Sequence, residues 1–258
     1  MIFTAQTLIN QWRAGVYEQN GEASNLSDCL LTLLSGAPKQ IFEPGCGGGK
    51  ILFPLSKAGH TVTGMDMDEN MLAYAQRKTA LSPMRLIHTD FLIAPWPRDF
   101  DAIILGGNLM HTIITDWEYK QAQKQMIMKS AASLKMGGQL ILDFDCPTHL
   151  ASLVKETSET LLLEGTDENG TYGKMYIKHA EADEKTRLLK SRIIYALMPR
   201  DMKPITFEEI IVRHILTLEE TTSWLFRAGF SIEALYGSYD FKPFNEKNRR
   251  CVIAARKG

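Results

Sequence analysis

The residues best placed to do chemistry fall in one stretch, Glu43-Pro44-Gly45-Cys46-Gly47-Gly48-Gly49. It follows a short apolar run predicted as a strand (residues 39–43) and precedes a predicted helix over 51–58. Glycines at such a corner permit positive φ and let a ligand approach the backbone without a Cβ in the way. The free N–H groups of the following helix favour a carboxylate or phosphate. About twenty residues on, past a β-branched run at 61–65, stands Asp66, the usual distance for an acid that accepts both hydroxyls of a ribose. Asp68 is better placed than Asp66 to cap the next helix, which leaves Asp66 for the diol. A third acid, Asp90, follows the predicted strand 84–88. The spacing therefore predicts a nucleoside-type ligand at the carboxyl ends of parallel strands.

Two cofactor classes use such a loop. A dinucleotide site requires G-x-G-x-x-G/A. Gly45 and Gly47 fit its first two positions, but Lys50 occupies the sixth, which disfavours a nicotinamide oxidoreductase.

The elements that must hold these residues alternate. Strands are predicted at 39–43, 61–65, 84–88, 100–105 and 139–144, with helices around 26–34, 51–58, 68–78 and 117–134 between them. This order implies a parallel sheet with right-handed crossovers. The pattern then changes. Residues 174–181, 186–197 and 205–215 read as three strands without intervening helices, an antiparallel meander. A helix over 218–228 and two strands at 230–236 and 250–256 close the chain, the pair antiparallel at the sheet edge. The expected architecture is α/β: a seven-stranded Rossmann-like sheet with helices on both faces, within a single domain over 1–258 that carries an antiparallel β insertion at about 165–215.

Taken in order, the motifs resemble those of class I S-adenosylmethionine (SAM)-dependent methyltransferases. Glu43, Gly45, Gly47 and Gly49 stand in register with that family's E/D-x-G-x-G-x-G loop. Thr89-Asp90-Phe91 resembles its adenine-binding segment, and Gly106-Gly107-Asn108-Leu109-Met110-His111 the segment lining the methionine part of the cofactor. Leu134-Lys135-Met136-Gly137-Gly138-Gln139-Leu140 resembles L-x-P-G-G-x-L, with Met136 where proline is usual. The resemblance implies SAM as cofactor, S-adenosylhomocysteine (SAH) as product, and Glu43, Gly45, Cys46, Gly47, Asp66, Met67, Asp90, Phe91, Gly107 and Asn108 as cofactor-binding residues. Gly107-Asn108-Leu109-Met110-His111, Leu142-Asp143-Phe144-Asp145 and Leu235-Tyr236-Gly237-Ser238-Tyr239-Asp240-Phe241 are locally similar to the glycine, sarcosine and amino-sugar N-methyltransferases. In that branch an insertion covers the acceptor. An N-terminal Arg contacts the cofactor carboxylate there, but Arg13 is a poor match for it, so glycine as acceptor is not supported. Tyr17 resembles a tyrosine that closes over the sulfonium. His111 is the candidate base or acceptor orienter, so the catalytic candidates are His111 and Tyr17.

Composition narrows the partners. The 258 residues carry 29 Lys and Arg against 30 Asp and Glu, a net charge of −1, with no basic stripe to neutralise phosphates. Nucleic acid is therefore not expected. No apolar stretch suits a membrane span or a signal peptide. The four scattered cysteines, none in a zinc-type spacing, read as reduced thiols of a cytoplasmic protein with no metal. The acceptor is expected to be a small molecule, methylated on N or O. The alternative is a SAM- or SAH-binding protein on the same fold without transfer activity. Exposed edge strands in the insertion would allow a homodimer.

Overall fold

A computed structural model describes residues 5–19, 24–113, 118–154 and 159–258. They divide into two compact units. The larger comprises Ala23–Thr148 and His214–Gly258; the smaller comprises His149–Arg213 with the N-terminal segment up to Glu22.

The larger unit is the expected α/β sheet. Its strands are β1 (Gln40–Pro44), β2 (Thr61–Asp66), β3 (Arg85–His88), β4 (Phe100–Leu105), β5 (Leu134–Asp145), β10 (Phe230–Tyr236) and β11 (Arg250–Lys257). Their order across the sheet is β10-β11-β5-β4-β1-β2-β3. β1 pairs in parallel with β2 and β4, and β4 with β5, whereas β11 runs antiparallel to both β5 and β10. The predicted terminal pair thus extends the sheet on the β5 side, with β10 outermost.

Alternation along the strands divides the core between two faces. Phe42, Ile103, Leu105, Leu140 and Leu142 bury one face against Met126 and Ile127 of α5 (Tyr119–Ser133) and Leu225 of α7 (Leu218–Arg227). Ile41, Ala102, Ile104 and Ile141 bury the other against Leu30 and Leu34 at α2 (Ser24–Leu33) and Leu52 and Leu55 of α3 (Leu52–Lys57). Asp68 caps α4 (Glu69–Thr79), its side chain accepting from the N–H groups of Asn70 and Met71. Helix α5 starts near its expected position; Trp117, the predicted first residue, lies outside the described residues.

The smaller unit corrects the insertion in two respects. It contains four strands, not three: β6 (Thr160–Thr166), β7 (Tyr172–Asp183), β8 (Leu188–Met198) and β9 (Ile205–His214), in that order. β6 begins ahead of the expected boundary at 165. Its pairing with β7 shifts register between Leu161 and Leu163, and Leu161 and Leu162 are both exposed, which destroys the period-2 signal. The second correction is the N-terminal helix α1 (Ala5–Gln19), which belongs to this sheet. Leu8, Ile9, Trp12 and Val16 pack with Leu163, Ile177, Ile193, Tyr195 and Leu197. The buried Trp12 donates its Nε1–H to the Gly165 carbonyl at 3.1 Å. Gly173 makes room for this indole: a Cβ there would lie 2.5 Å from Trp12 Cε2 and 2.4 Å from Leu197 Cδ2. Gly173→Ala is expected to destabilise the fold by about 1–3 kcal/mol through overpacking. Thermal denaturation checks this, and an unchanged midpoint would refute the tight fit.

Candidate cofactor and active site

The glycine loop leaves β1 at Pro44 and crosses the end of β2. Gly45 N–H donates to Met65 O at 2.7 Å, and Gly47 N–H to Asp66 Oδ2 at 2.8 Å. Gly45, Gly47 and Gly49 have φ of 68°, 51° and 75°, values that L side chains rarely adopt. At Gly45 an added Cβ would lie 2.4 Å from Leu109 Cδ1. The loop after β1 therefore packs directly on the segment after β4.

Asp66 ends β2. Its Oδ1 accepts from Asp68 N–H at 2.9 Å while Oδ2 holds Gly47. Each carboxylate oxygen keeps a lone pair for a further donor. Met67, next in the chain, is exposed. Thr89 N–H bonds to Asp66 O at 2.9 Å, which brings Asp90 and Phe91 beside the end of β2. The Asp90 carboxylate accepts from Leu92 N–H at 2.7 Å. Sequence reasoning did not find what holds this turn. Lys129 of α5 donates to the carbonyls of Phe91, Leu92 and Ala94, and Trp96 Nε1–H also donates to Phe91 O. Burial lowers the Lys129 pKa, and Asp90 works against that.

Glu43 is buried with its Oε2 lacking any hydrogen-bond partner. Burial, and then the nearby Asp66 charge, pushes its carboxyl well above the usual carboxylate range. A buried polar atom left unpaired is costly, and a cationic ligand would repay that cost. Cys46 fills space against Gly64, and burial followed by Glu43 and Asp66 pushes its thiol up, so it remains an S–H group.

Beyond β4, Gly107 and Asn108 are consecutive left-handed residues, with φ of 62° and 64°. Buried Asp143 fixes them: its Oδ2 accepts from Gly107 N–H at 2.9 Å and its carbonyl from Asn108 N–H at 3.1 Å. His111 ends the 3₁₀ turn Leu109–His111 and is buried, its ring in a T-shaped contact with Phe144. Its Nε2 accepts from Leu216 N–H at 3.2 Å. The Nε2 lone pair is thus engaged within the protein, and the bond ties the turn after β4 to Leu216. Gln123 reinforces the turn by donating to Met110 O and His214 O.

The larger unit therefore gathers Glu43, Gly45, Cys46, Gly47, Asp66, Met67, Asp90, Phe91, Gly107, Asn108 and His111 around the carboxyl ends of β1–β4. Tyr17 and Arg13 lie on α1 of the other unit; Tyr17 is half exposed, and Arg13 interacts with Tyr195, whose hydroxyl donates to Glu209 at 2.9 Å. Among the described residues no group of three or more His, Cys, Asp or Glu side chains could hold a metal ion, and no helix is long and apolar enough to cross a membrane.

Comparison with known proteins agrees with this geometry. Residues 41–138 match the family profile described as a methyltransferase domain. A Geobacillus sp. relative, a methyltransferase by provisional assignment, is 22% identical over 225 residues, 85% of each chain. Among solved structures, a SAM-dependent methyltransferase from Clostridium acetobutylicum superposes with a TM-score of 0.72 at 17% identity, over 95% of this chain and 96% of that one. The sugar N-methyltransferase KedS8 from Streptoalloteichus sp. gives 0.69 at 16% identity, over 100% and 95%. Residues 41–138 thus match a methyltransferase-domain profile, and the fold is that of solved SAM-dependent methyltransferases. The glycine cradle and the unpaired Oε2 of Glu43 suit a cationic, nucleoside-bearing ligand.

Proposed function

We propose that this protein transfers the methyl group of SAM to a nitrogen or oxygen of a small-molecule acceptor, with an amine the acceptor that suits the site best. The carrying observation is the engagement of His111 Nε2 by Leu216 N–H. An amine brings its own lone pair as the free base, whereas an aliphatic alcohol would need a strong base beside it. The reading also draws support from KedS8, whose match spans the inserted sheet as well as the cofactor sheet. In this assignment Asp66 takes the ribose hydroxyls and Asp90 the adenine amino group, with Met67 and Phe91 walling the base. Gly45, Cys46 and Gly47 supply the close backbone, and Glu43 faces the cofactor's positive charge. Gly107 and Asn108 line the methionine end, and His111 keeps that segment in place. SAM, when bound, would supply an electrophilic methyl whose C–S bonding pair leaves with sulfur as SAH, and a methylated amine would release its proton to solvent. The protein contributes alignment and exclusion of water.

The test is isotope-labelled methyl transfer to panels of amino sugars, other small amines and phenols, run beside SAH calorimetry. Transfer to amines carries the proposal. Transfer confined to phenols overturns the amine preference. Micromolar SAH binding with no transfer to any panel member supports a cofactor-binding protein without this activity.

A further inference from the structure

Two segments singled out by the sequence have no part in the reaction as drawn so far: Leu142-Asp143-Phe144-Asp145 at the end of β5, and the loop Gly237-Ser238-Tyr239-Asp240 between β10 and β11. The fold brings them together around Arg250, the first residue of β11. Arg250 pairs across the strands with Asp145, and its guanidinium spans both acids. Nε lies 2.6 Å from Asp143 Oδ1, one terminal nitrogen donates to Asp143 Oδ2 at 2.7 Å, and the other donates to Asp145 Oδ1 at 2.9 Å. Tyr239 lies under the guanidinium, with Cζ 5.2 Å from the ring centroid, and its hydroxyl bonds to Arg250 and donates to Asp143 Oδ2 at 3.2 Å. Asp143 is 1% exposed, and Arg250 is the cation packed against it.

The same two acids hold the turn after β4. Asp143 Oδ2 takes Gly107 N–H, Asp145 N–H donates to Asn108 Oδ1 at 2.6 Å, and Asn108 Nδ2 donates to Asp145 Oδ2 at 3.4 Å. Two left-handed residues in succession, one of them not glycine, are strained without such anchors. The space over Gly107 is open, and Leu109, two residues on, sits against Gly45 of the glycine loop. We infer that Arg250 and Tyr239 are positioning residues for the methionine end of the cofactor, acting through Asp143 and Asp145 on Gly107 and Asn108. This rests on SAM being the cofactor and on Gly107 and Asn108 lining its tail.

Two probes separate this role from general support of the fold: SAH, which carries the amino-acid tail, and 5′-methylthioadenosine, which keeps the nucleoside and lacks the tail. Calorimetry on the full chain is expected to show SAH binding about tenfold weaker in Arg250→Met and about threefold weaker in Tyr239→Phe. Arg250→Lys should fall between wild type and Arg250→Met, because one point charge replaces two nitrogens that each reach a different carboxylate. Methylthioadenosine affinity should stay within about twofold throughout. Arg250→Met leaves Asp143 buried without its counter-ion, so if it does not fold, Tyr239→Phe and Arg250→Lys decide the matter. Equal weakening of both ligands, or unchanged SAH affinity in folded variants, overturns the inference. A wild-type protein that binds methylthioadenosine but not SAH overturns the tail assignment on which it rests; one that binds neither overturns the cofactor reading too.

Discussion

Replacing Asp66 by alanine is expected to weaken SAH binding about 100- to 1,000-fold, the loss of two charge-assisted hydrogen bonds to a vicinal diol. The substitution acts twice. It removes the acceptor for the ribose and frees the N–H groups of Gly47 and Asp68, which the carboxylate now holds at 2.8 and 2.9 Å. Asp66→Asn separates the two effects, since the amide oxygen can still accept from one of those N–H groups while the second oxygen is lost. It should therefore bind better than Asp66→Ala and far worse than wild type. Calorimetric titration with SAH measures both. Affinity within fivefold of wild type in Asp66→Ala would remove the ribose role.

The second large effect concerns protons. Burial, assisted by Asp66, raises the Glu43 pKa, so the folded protein keeps a proton that the unfolded chain has already lost. An unfolded Glu titrates near about 4.3. Glu43 therefore contributes its full share to stability below that pH, and the share declines as pH rises toward the raised folded value. Glu43→Gln should flatten this decline, and chemical denaturation across pH 4–8 reads it. Cofactor binding should run the other way. A cation beside Glu43 favours the ionised carboxylate, so binding SAM releases a proton. Affinity should then rise with pH, by up to about tenfold per unit in the window just below the raised value. Calorimetry in two buffers of different ionisation heat counts that proton. Glu43→Gln should lose both the proton and the slope, and bind SAM about tenfold more weakly at the upper end. Parallel pH profiles for the two proteins would mean that Glu43 does not sense the cofactor. Because Asp66 contributes to the Glu43 shift, Asp66→Asn should move the wild-type profile toward lower pH.

The cofactor half of the molecule was legible because its signals are local. Glycines at 45, 47 and 49 are required by positive φ in a loop that begins directly after a strand, and Asp66 follows its own strand without a gap. Short apolar and β-branched runs located β1, β2 and β4 for the same reason. The interactions that fix the geometry are not local. Arg250 lies 107 residues beyond Asp143 in the chain, and Leu216 lies 105 beyond His111. No spacing rule connects such partners, so the sequence offers His111 as a possible base while the structure shows its lone pair spoken for. Lys129 is likewise invisible as a clamp, because on a helix it reads as one more surface cation. β6 was missed through its register shift, and α1 could not be assigned to the inserted sheet without knowing that Gly173 leaves room for Trp12.

The attachment of α1 to that sheet has a consequence for how the chain is made. Leu8, Ile9, Trp12 and Val16 are synthesised before the sheet that covers them, and the carbonyl that receives the Trp12 indole follows 153 residues later. At about 5–20 residues per second, the helix waits roughly 8–30 s with its apolar face uncovered. Through that interval the nascent chain carries an uncovered apolar segment that a chaperone or a neighbouring polypeptide can seize. Slowing translation between residues 20 and 160 should therefore lower the soluble yield more than slowing it after residue 214.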